Sequence, residues 1–344
     1  MDLRKDRVLK IQKQLGENEI LVITNPADIF YLVGINLDVP FVISKNSFYM
    51  LIPSMLEGQL KKIFRNNSLI VAESNKERLE MLKKKMKVEK VVLDNENTSV
   101  KFYNLLKQSF KNIRIKNVVS QLRQIKDKTE ILNIKTACKI LKKILDETKS
   151  MFKEGVREIE VKNFILKKFL EYNVEPSFEP IVAFDENTSY PHHVSENKKF
   201  KKNSLVLIDL GCKYKGYCCD VTRMYNVEKN PKIYYFYNLL KELQQKLISL
   251  CKPGVKVKDI DLYARKFVEQ LGLKDKYLHS TGHGIGIEIH EPPRLSQFDE
   301  TVLKENMVIT IEPGIYFENE FGLRIEDDVL VRKKDSFVLT TIVR

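Results

Sequence analysis

The chain has 344 residues, 43% of them apolar, and a formal net charge of +13. That length suits two domains with sizeable cores, and neither the charged start Met1-Asp-Leu-Arg-Lys-Asp-Arg7 nor any apolar run reads as a secretory signal or a membrane span. The positive charge is mostly Lys rather than Arg and is interleaved with acids, as in 139–153, so it reads as a solvated surface and not a nucleic-acid footprint.

Up to about residue 122 the pattern alternates helix and strand. Arg4–Leu15 places Val8, Ile11 and Leu15 at helical spacing, Ile20–Thr24 is a short apolar run, and Asn25-Pro26-Ala27-Asp28 reads as a turn. Phe30–Gly34 and Phe41–Ile52 follow, the second interrupted at Lys45-Asn46, and Leu69–Ala72 and Val88–Leu93 read as further strands. Lys83–Lys87 reads as an exposed helix end. The alternation predicts an α/β layer with a partly parallel sheet, and this half holds no histidine, so it reads as a scaffold or partner-binding domain.

The texture changes near Leu122–Asp127. Asp127, with Glu130 three residues on, reads as the capping box of a long amphipathic helix ending near Gly155. Further helices are predicted over Arg157–Tyr172, Pro231–Leu250 and Val257–Leu271. The domains expected are therefore 1–122 and 123–344, in an α+β chain whose second half reads helix, helix, hairpin, helix, helix, hairpin. Five scattered cysteines, Cys138, Cys212, Cys218, Cys219 and Cys251, lack CxxC spacing and read as reduced thiols of a cytoplasmic protein.

The duplication carries the chemistry. Asn203 is followed by an apolar run to Asp209, then Gly211, then a second acid at Asp220; Asn306 is followed by an apolar run to Glu312, then Gly314, then Glu326. His283 lies between the two copies in Gly282-His283-Gly284. Two divalent ions ~3.5–4 Å apart repel one another and need bridging anions, and a shared water becomes nucleophilic near neutral pH. Four carboxylates and one imidazole meet that need, and an oxygen-dominated set suits Mn²⁺, Co²⁺, Fe²⁺ or Mg²⁺ better than a structural Zn²⁺ site.

These motifs, Asp209-Leu-Gly211, Asp220-Val-Thr-Arg223, Gly282-His-Gly-Ile-Gly286, Glu312-Pro-Gly-Ile-Tyr316 and Leu323-Arg-Ile-Glu326-Asp327, resemble those of the pita-bread metallopeptidases, in the branch of the Xaa-Pro dipeptidases (prolidases) and aminopeptidases P. Thr24–Gly34 is similar to their creatinase-like N-terminal domain, and Leu122–Asp127 to the start of their catalytic domain. The resemblance implies a creatinase-like domain followed by a pseudo-symmetric catalytic domain, with two divalent ions, Mn²⁺ or Co²⁺ foremost and Fe²⁺ or Zn²⁺ as alternatives. It implies that Asp209 binds one ion, that Asp220 and Glu326 bridge both, that His283 and Glu312 complete the second, and that Glu312 is the general base. It further implies substrate-side roles for His192 and His290, support of a ligating carboxylate by Arg324, and proline-containing dipeptides or short peptides as substrates of a homodimer.

Other residues keep two readings at this level. Arg294 in His290-Glu-Pro-Pro-Arg294 suits a dipeptide's terminal carboxylate or a solvated loop, and Tyr190 and Phe178 suit a proline pocket or core packing. His193 is expected to point away from its neighbour His192, and His279 suits packing or substrate contact. Cys212, Cys218 and Cys219 read as strand packing. Aminopeptidase P is the alternative activity; methionine aminopeptidases share the ligands without this N-terminal half, and creatinases and histone-chaperone relatives lack ligands that are all present here.

Overall fold

The computed structural model describes residues 4–64, 68–94 and 98–341, and the chain divides into two compact units, Met1–Arg123 and Gln124–Arg344. The charged start at residues 1–3 lies outside the described residues.

In the first unit the helices are α1 (Lys5–Gln12), α2 (Pro26–Val33), α3 (Glu57–Leu60), α4 (Asn75–Lys85), α5 (Val100–Ser109) and α6 (Val119–Arg123). The strands β1 (Glu19–Ile23), β2 (Phe41–Ser44), β3 (Phe48–Ile52), β4 (Leu69–Val71), β5 (Lys90–Asp94) and β6 (Ile113–Lys116) form one sheet in the order β4-β3-β2-β1-β5-β6. Its β1/β5, β5/β6 and β3/β4 pairs are parallel, and β2 runs antiparallel to both neighbours. Two sequence expectations are corrected here: Phe30–Gly34, grouped with the strands, belongs to α2 and its cap, and the expected turn at 25–28 opens that same helix. Asn25 caps it by accepting from Ala27 N, Pro26 occupies its first turn, and Gly34 closes it at φ 78°. Lys83–Lys85 do lie exposed in the last turn of α4.

The second unit opens with α7 (Lys128–Thr148), capped reciprocally by Asp127 and Glu130, and α8 (Glu158–Glu171). After the short β7 (Glu175–Pro176), the strands β8 (Ile181–Phe184), β9 (Val206–Leu210), β10 (Cys212–Tyr214), β11 (Tyr217–Cys218) and β12 (Val221–Tyr225) complete a first half. Helices α9 (Pro231–Leu250) and α10 (Val257–Gln270) lead to β13 (Gly282–Gly284), β14 (Glu291–Leu295), β15 (Val308–Ile311), β16 (Gly314–Phe317), β17 (Phe321–Arg324), β18 (Asp327–Val331) and β19 (Ser336–Val338).

The duplication is structural. β9 pairs antiparallel with β12 across a β10–β11 excursion, and β15 pairs antiparallel with β18 across a β16–β17 excursion. Opposed residues are Asp209 and Thr222 in the first pair, Ile311 and Asp327 in the second. Each excursion therefore starts beside one acid and ends beside another. Buried Leu240, Leu243 and Leu247 of α9 and Ile260, Ala264 and Val268 of α10 share one core with Ile309, Ile311 and Val329. From the same helix face Gln244 Nε2 reaches Ile311 O at 3.2 Å, Ile325 O at 3.3 Å and Asp327 Oδ2 at 3.1 Å, so both limbs of the second hairpin are tied to one side chain.

At the end of β5, Asp94 Oδ1 accepts from Val118 N at 2.5 Å and Val119 N at 3.2 Å. Burial, and next the charge of Asp28, push its carboxyl up to about 7. An acid whose folded pKa exceeds its unfolded value binds its proton preferentially in the folded state, so its stabilising contribution is full at low pH and lost as pH rises towards 7. Hydrogen exchange of the β1 and β5 amides in the whole chain is expected to quicken from pH 4 to pH 7 beyond the intrinsic base catalysis. Asp94→Asn is expected to flatten that trend.

Candidate metal centre and substrate cleft

Strand geometry delivers the acids to one place. Asp209 lies on β9 and Asp220 just before β12; Glu312 follows β15 and Glu326 precedes β18. His283 sits on β13, which pairs with β15. Its flanking residues have to be glycine. A Cβ on Gly282 would lie 2.0 Å from Thr310 O, and one on Gly284 would lie 2.4 Å from Pro292 O, so any side chain there would push the histidine strand off its neighbours.

All five converge on a cleft of about 690 Å³. His283 Nε2 stands 3.4 Å from Glu312 Oε1 and 3.8 Å from Asp220 Oδ2, and donor atoms of Asp220, His283 and Glu326 lie within 4.8 Å of one another. His283 Nδ1 lies 3.1 Å from Gly284 O, a contact that fixes the proton on Nδ1 and leaves the Nε2 lone pair facing the carboxylates. Burial, then His290, lower its pKa to about 3, so the ring is neutral.

The carboxylates are electrostatically incompatible with one another as bare anions. Burial and then Glu326 raise the Asp220 pKa, burial and then Glu312 raise that of Glu326, and burial raises Glu312 to about 7. Asp209 is also raised by burial, although Arg324 opposes the shift. Asp209 Oδ1 and Asp220 Oδ1 are buried without a hydrogen-bond partner. Two orphaned carboxylate oxygens and a neutral imidazole lining one cleft, in a set dominated by hard oxygen donors, fit divalent cations.

Behind the acids is a network built on Arg324, and sequence reasoning named no task for its other members, Thr222, Tyr316, Thr310 and Asp328. Arg324 Nη2 donates to Asp209 Oδ2 at 2.6 Å, its Nε to Thr222 Oγ1 at 3.0 Å and its Nη1 to Tyr316 Oη at 2.7 Å. Thr222 in turn donates to Glu326 Oε2 at 2.7 Å. One guanidinium thus orients acids from both halves. Asp328 accepts from Asp220 N at 3.1 Å, and Thr310 accepts from His283 N at 3.0 Å. Asp328 is an acid next to another acid in the sequence, and only the fold separates their roles.

The remaining predicted residues fall into distinct places. His192, His290 and Arg294 line the cleft and are exposed, with the His283 and His290 rings 4.3 Å apart edge to face. Beside His290, buried Glu291 pairs with buried Lys126 at 2.8 Å. Phe178 also lines the cleft; Tyr190 is not among the lining residues and donates to Asn319 Oδ1 at 2.9 Å. His193 turns away from the cleft to Glu158. His279 lines the cleft with its Nε2 2.9 Å from Tyr316 Oη, and burial lowers its pKa to about 4. Cys212, Cys218 and Cys219 are buried among strands.

The chain is similar to known proteins along nearly its whole length. Residues 133–333 match the model of metallopeptidase family M24, and residues 7–125 that of the creatinase/prolidase N-terminal domain. The chain is 34% identical to a Pyrococcus furiosus Xaa-Pro dipeptidase over 99% of both chains. Among solved structures it is similar to a prolidase from Pyrococcus horikoshii (TM-score 0.89, 30% identity, 99% of each chain). It is also similar to an X-Pro aminopeptidase from Thermotoga maritima (TM-score 0.88, 29% identity, 99% of this chain and 98% of that one). With relatives of this kind matching from end to end, the chain belongs to metallopeptidase family M24.

Proposed function

We propose that the chain is a divalent-metal-dependent peptidase that cleaves the Xaa-Pro bond, chiefly in dipeptides. The observation that carries this reading is the convergence of Asp209, Asp220, His283, Glu312 and Glu326 in a cleft that also presents His192, His290 and Arg294. The names of the relatives, Xaa-Pro dipeptidase and prolidase, support it.

In this reading the five residues hold two ions, with Mn²⁺ or Co²⁺ the first choice for an oxygen-rich set. When bound, such ions supply Lewis acidity, polarising a carbonyl oxygen and making water nucleophilic near neutral pH. Glu312 would take a proton from the attacking water and return it to the departing imino nitrogen. His192 and His290 are placed to hydrogen-bond the scissile peptide as its carbonyl becomes tetrahedral. Arg324 keeps Asp209 oriented. Exposed Arg294 offers a guanidinium fork to the terminal carboxylate of a dipeptide, and Phe178 an apolar wall for the ring.

Proline explains the specialisation. Its ring and missing N–H prevent the extended docking on which general peptidases rely. The similarity to an X-Pro aminopeptidase favours a second reading, release of the residue before proline from longer peptides. A cytoplasmic homodimer belongs to the same proposal. The five free, buried cysteines agree with a reducing compartment, and family membership alone supports the dimer. Among the described residues no helix is long and apolar enough to cross a membrane.

Purified protein assayed with Mn²⁺ is expected to hydrolyse Met-Pro, to leave Met-Ala intact and to lose activity on chelation. Turnover of Xaa-Pro-Xaa tripeptides alone would favour the aminopeptidase, and turnover of Met-Ala would reject proline selectivity. Arg294→Ala is expected to raise KM for Met-Pro by about 10- to 100-fold, the loss of a charge-assisted pair.

A second expectation needs no substrate. Because burial and mutual repulsion raise these carboxyl groups, they hold protons in the cation-free cleft, and a cation must displace them. Calorimetric titration with Mn²⁺ in buffers of different ionisation enthalpy is expected to show proton release, with affinity rising as pH increases towards and through 7.

A further inference from the structure

Behind the cleft, outside the metal ligands, lies a carboxylate with no role so far. Glu158, the first residue of α8, has no solvent exposure and faces donors on both oxygens. Its Oε1 accepts from Phe184 N at 2.6 Å and Asn187 Nδ2 at 3.0 Å. Its Oε2 accepts from His193 Nε2 at 2.8 Å and Glu196 N at 2.9 Å. These four partners bracket one segment. Phe184 ends β8, Glu196 ends the return, and between them His192 enters the cleft.

Among the described residues the His192 ring makes no hydrogen bond, so the backbone on either side sets its position. On one side Arg324 Nη1 donates to Pro191 O at 3.4 Å. On the other, buried His193 is pinned to Glu158, and Ser195 is locked to Val182 by two 3.0 Å contacts. Successive side chains alternate outward and inward here: His192 exposed, His193 buried, Val194 exposed, Ser195 buried. Anchoring His193 inward therefore dictates that His192 points outward.

We infer that Glu158 and His193 are positioning residues that aim His192 at the substrate. The inference rests on the substrate-side reading of His192 given above. An amide cannot replace the carboxylate, because its N–H₂ would face N–H donors.

The test is a double-mutant cycle on the Mn²⁺-loaded enzyme with Met-Pro. His193→Ala and Glu158→Gln are each expected to lower kcat by about 10- to 100-fold with KM changed less than about threefold, the effect of a misaimed group. His193→Gln, which keeps a donor at the position of Nε2, is expected to recover most of the loss. On a His192→Ala background the same changes are expected to add less than about threefold, since residues acting through one group are not additive. Bound Mn²⁺ per chain is expected to be unchanged throughout. Multiplicative losses in the cycle, no rescue by His193→Gln, or loss of Mn²⁺ would each overturn the positioning role while leaving the peptidase reading intact. Full turnover by His192→Ala would instead remove the substrate-side role itself, and the inference with it.

Discussion

Four carboxylates in one poorly solvated cleft cannot all be ionised unless positive charge sits among them. That constraint organises the second unit. Burial and mutual repulsion push Asp220, Glu312 and Glu326 above the ordinary carboxylate range, and two of the cluster's oxygens have no protein partner. Arg324, a guanidinium buried beside the acids, is committed to Asp209, Thr222 and Tyr316. It offsets part of the charge and orients the acids, while the two orphaned oxygens stay without a hydrogen-bond partner. Such a cluster is unfavourable as a free-standing feature of a fold, so its presence is informative about function.

The architecture shows how one chain assembles so crowded a centre. A single hairpin brings two acids near each other; a second, related hairpin brings two more, and β13 adds the histidine. Close backbone approach at Gly282 and Gly284 lets that third contribution enter. Strands packed on α9 and α10 through one apolar core hold or directly adjoin each of the four acids. The groups that would meet substrate, His192, His290 and Arg294, lie on exposed positions at the rim. Their neighbours His193 and Glu291 are buried against opposite partners, Glu158 and Lys126.

Much of this was legible from residue order because the relevant signals are local or repeated. The capping box at Asp127 and Glu130, Pro231 after the capping Asn230, and the twice-repeated run from asparagine to acid to glycine each state their structure within a few residues. The misread segment at 25–28 shows the limit: Asn-Pro opens turns and helices alike, and the deciding partner, Gly34, lies beyond the dipeptide's own neighbourhood. Thr222, Asp328 and Glu158 were harder still. Each acts through a contact more than twenty-five residues distant, Thr222 with Glu326, Asp328 with Asp220 and Glu158 with His193, and no spacing rule in one sequence exposes such pairs.

The proposed activity turns on whether divalent cations complete the carboxylate cluster. Equilibrium dialysis of the purified chain against Mn²⁺, followed by elemental analysis, addresses it directly. The native protein is expected to hold two ions per chain, and a correctly folded Asp220→Asn variant fewer. Native protein that retains no Mn²⁺ at millimolar concentration, or an Asp220→Asn variant that binds the full complement with undiminished affinity, would contradict that expectation.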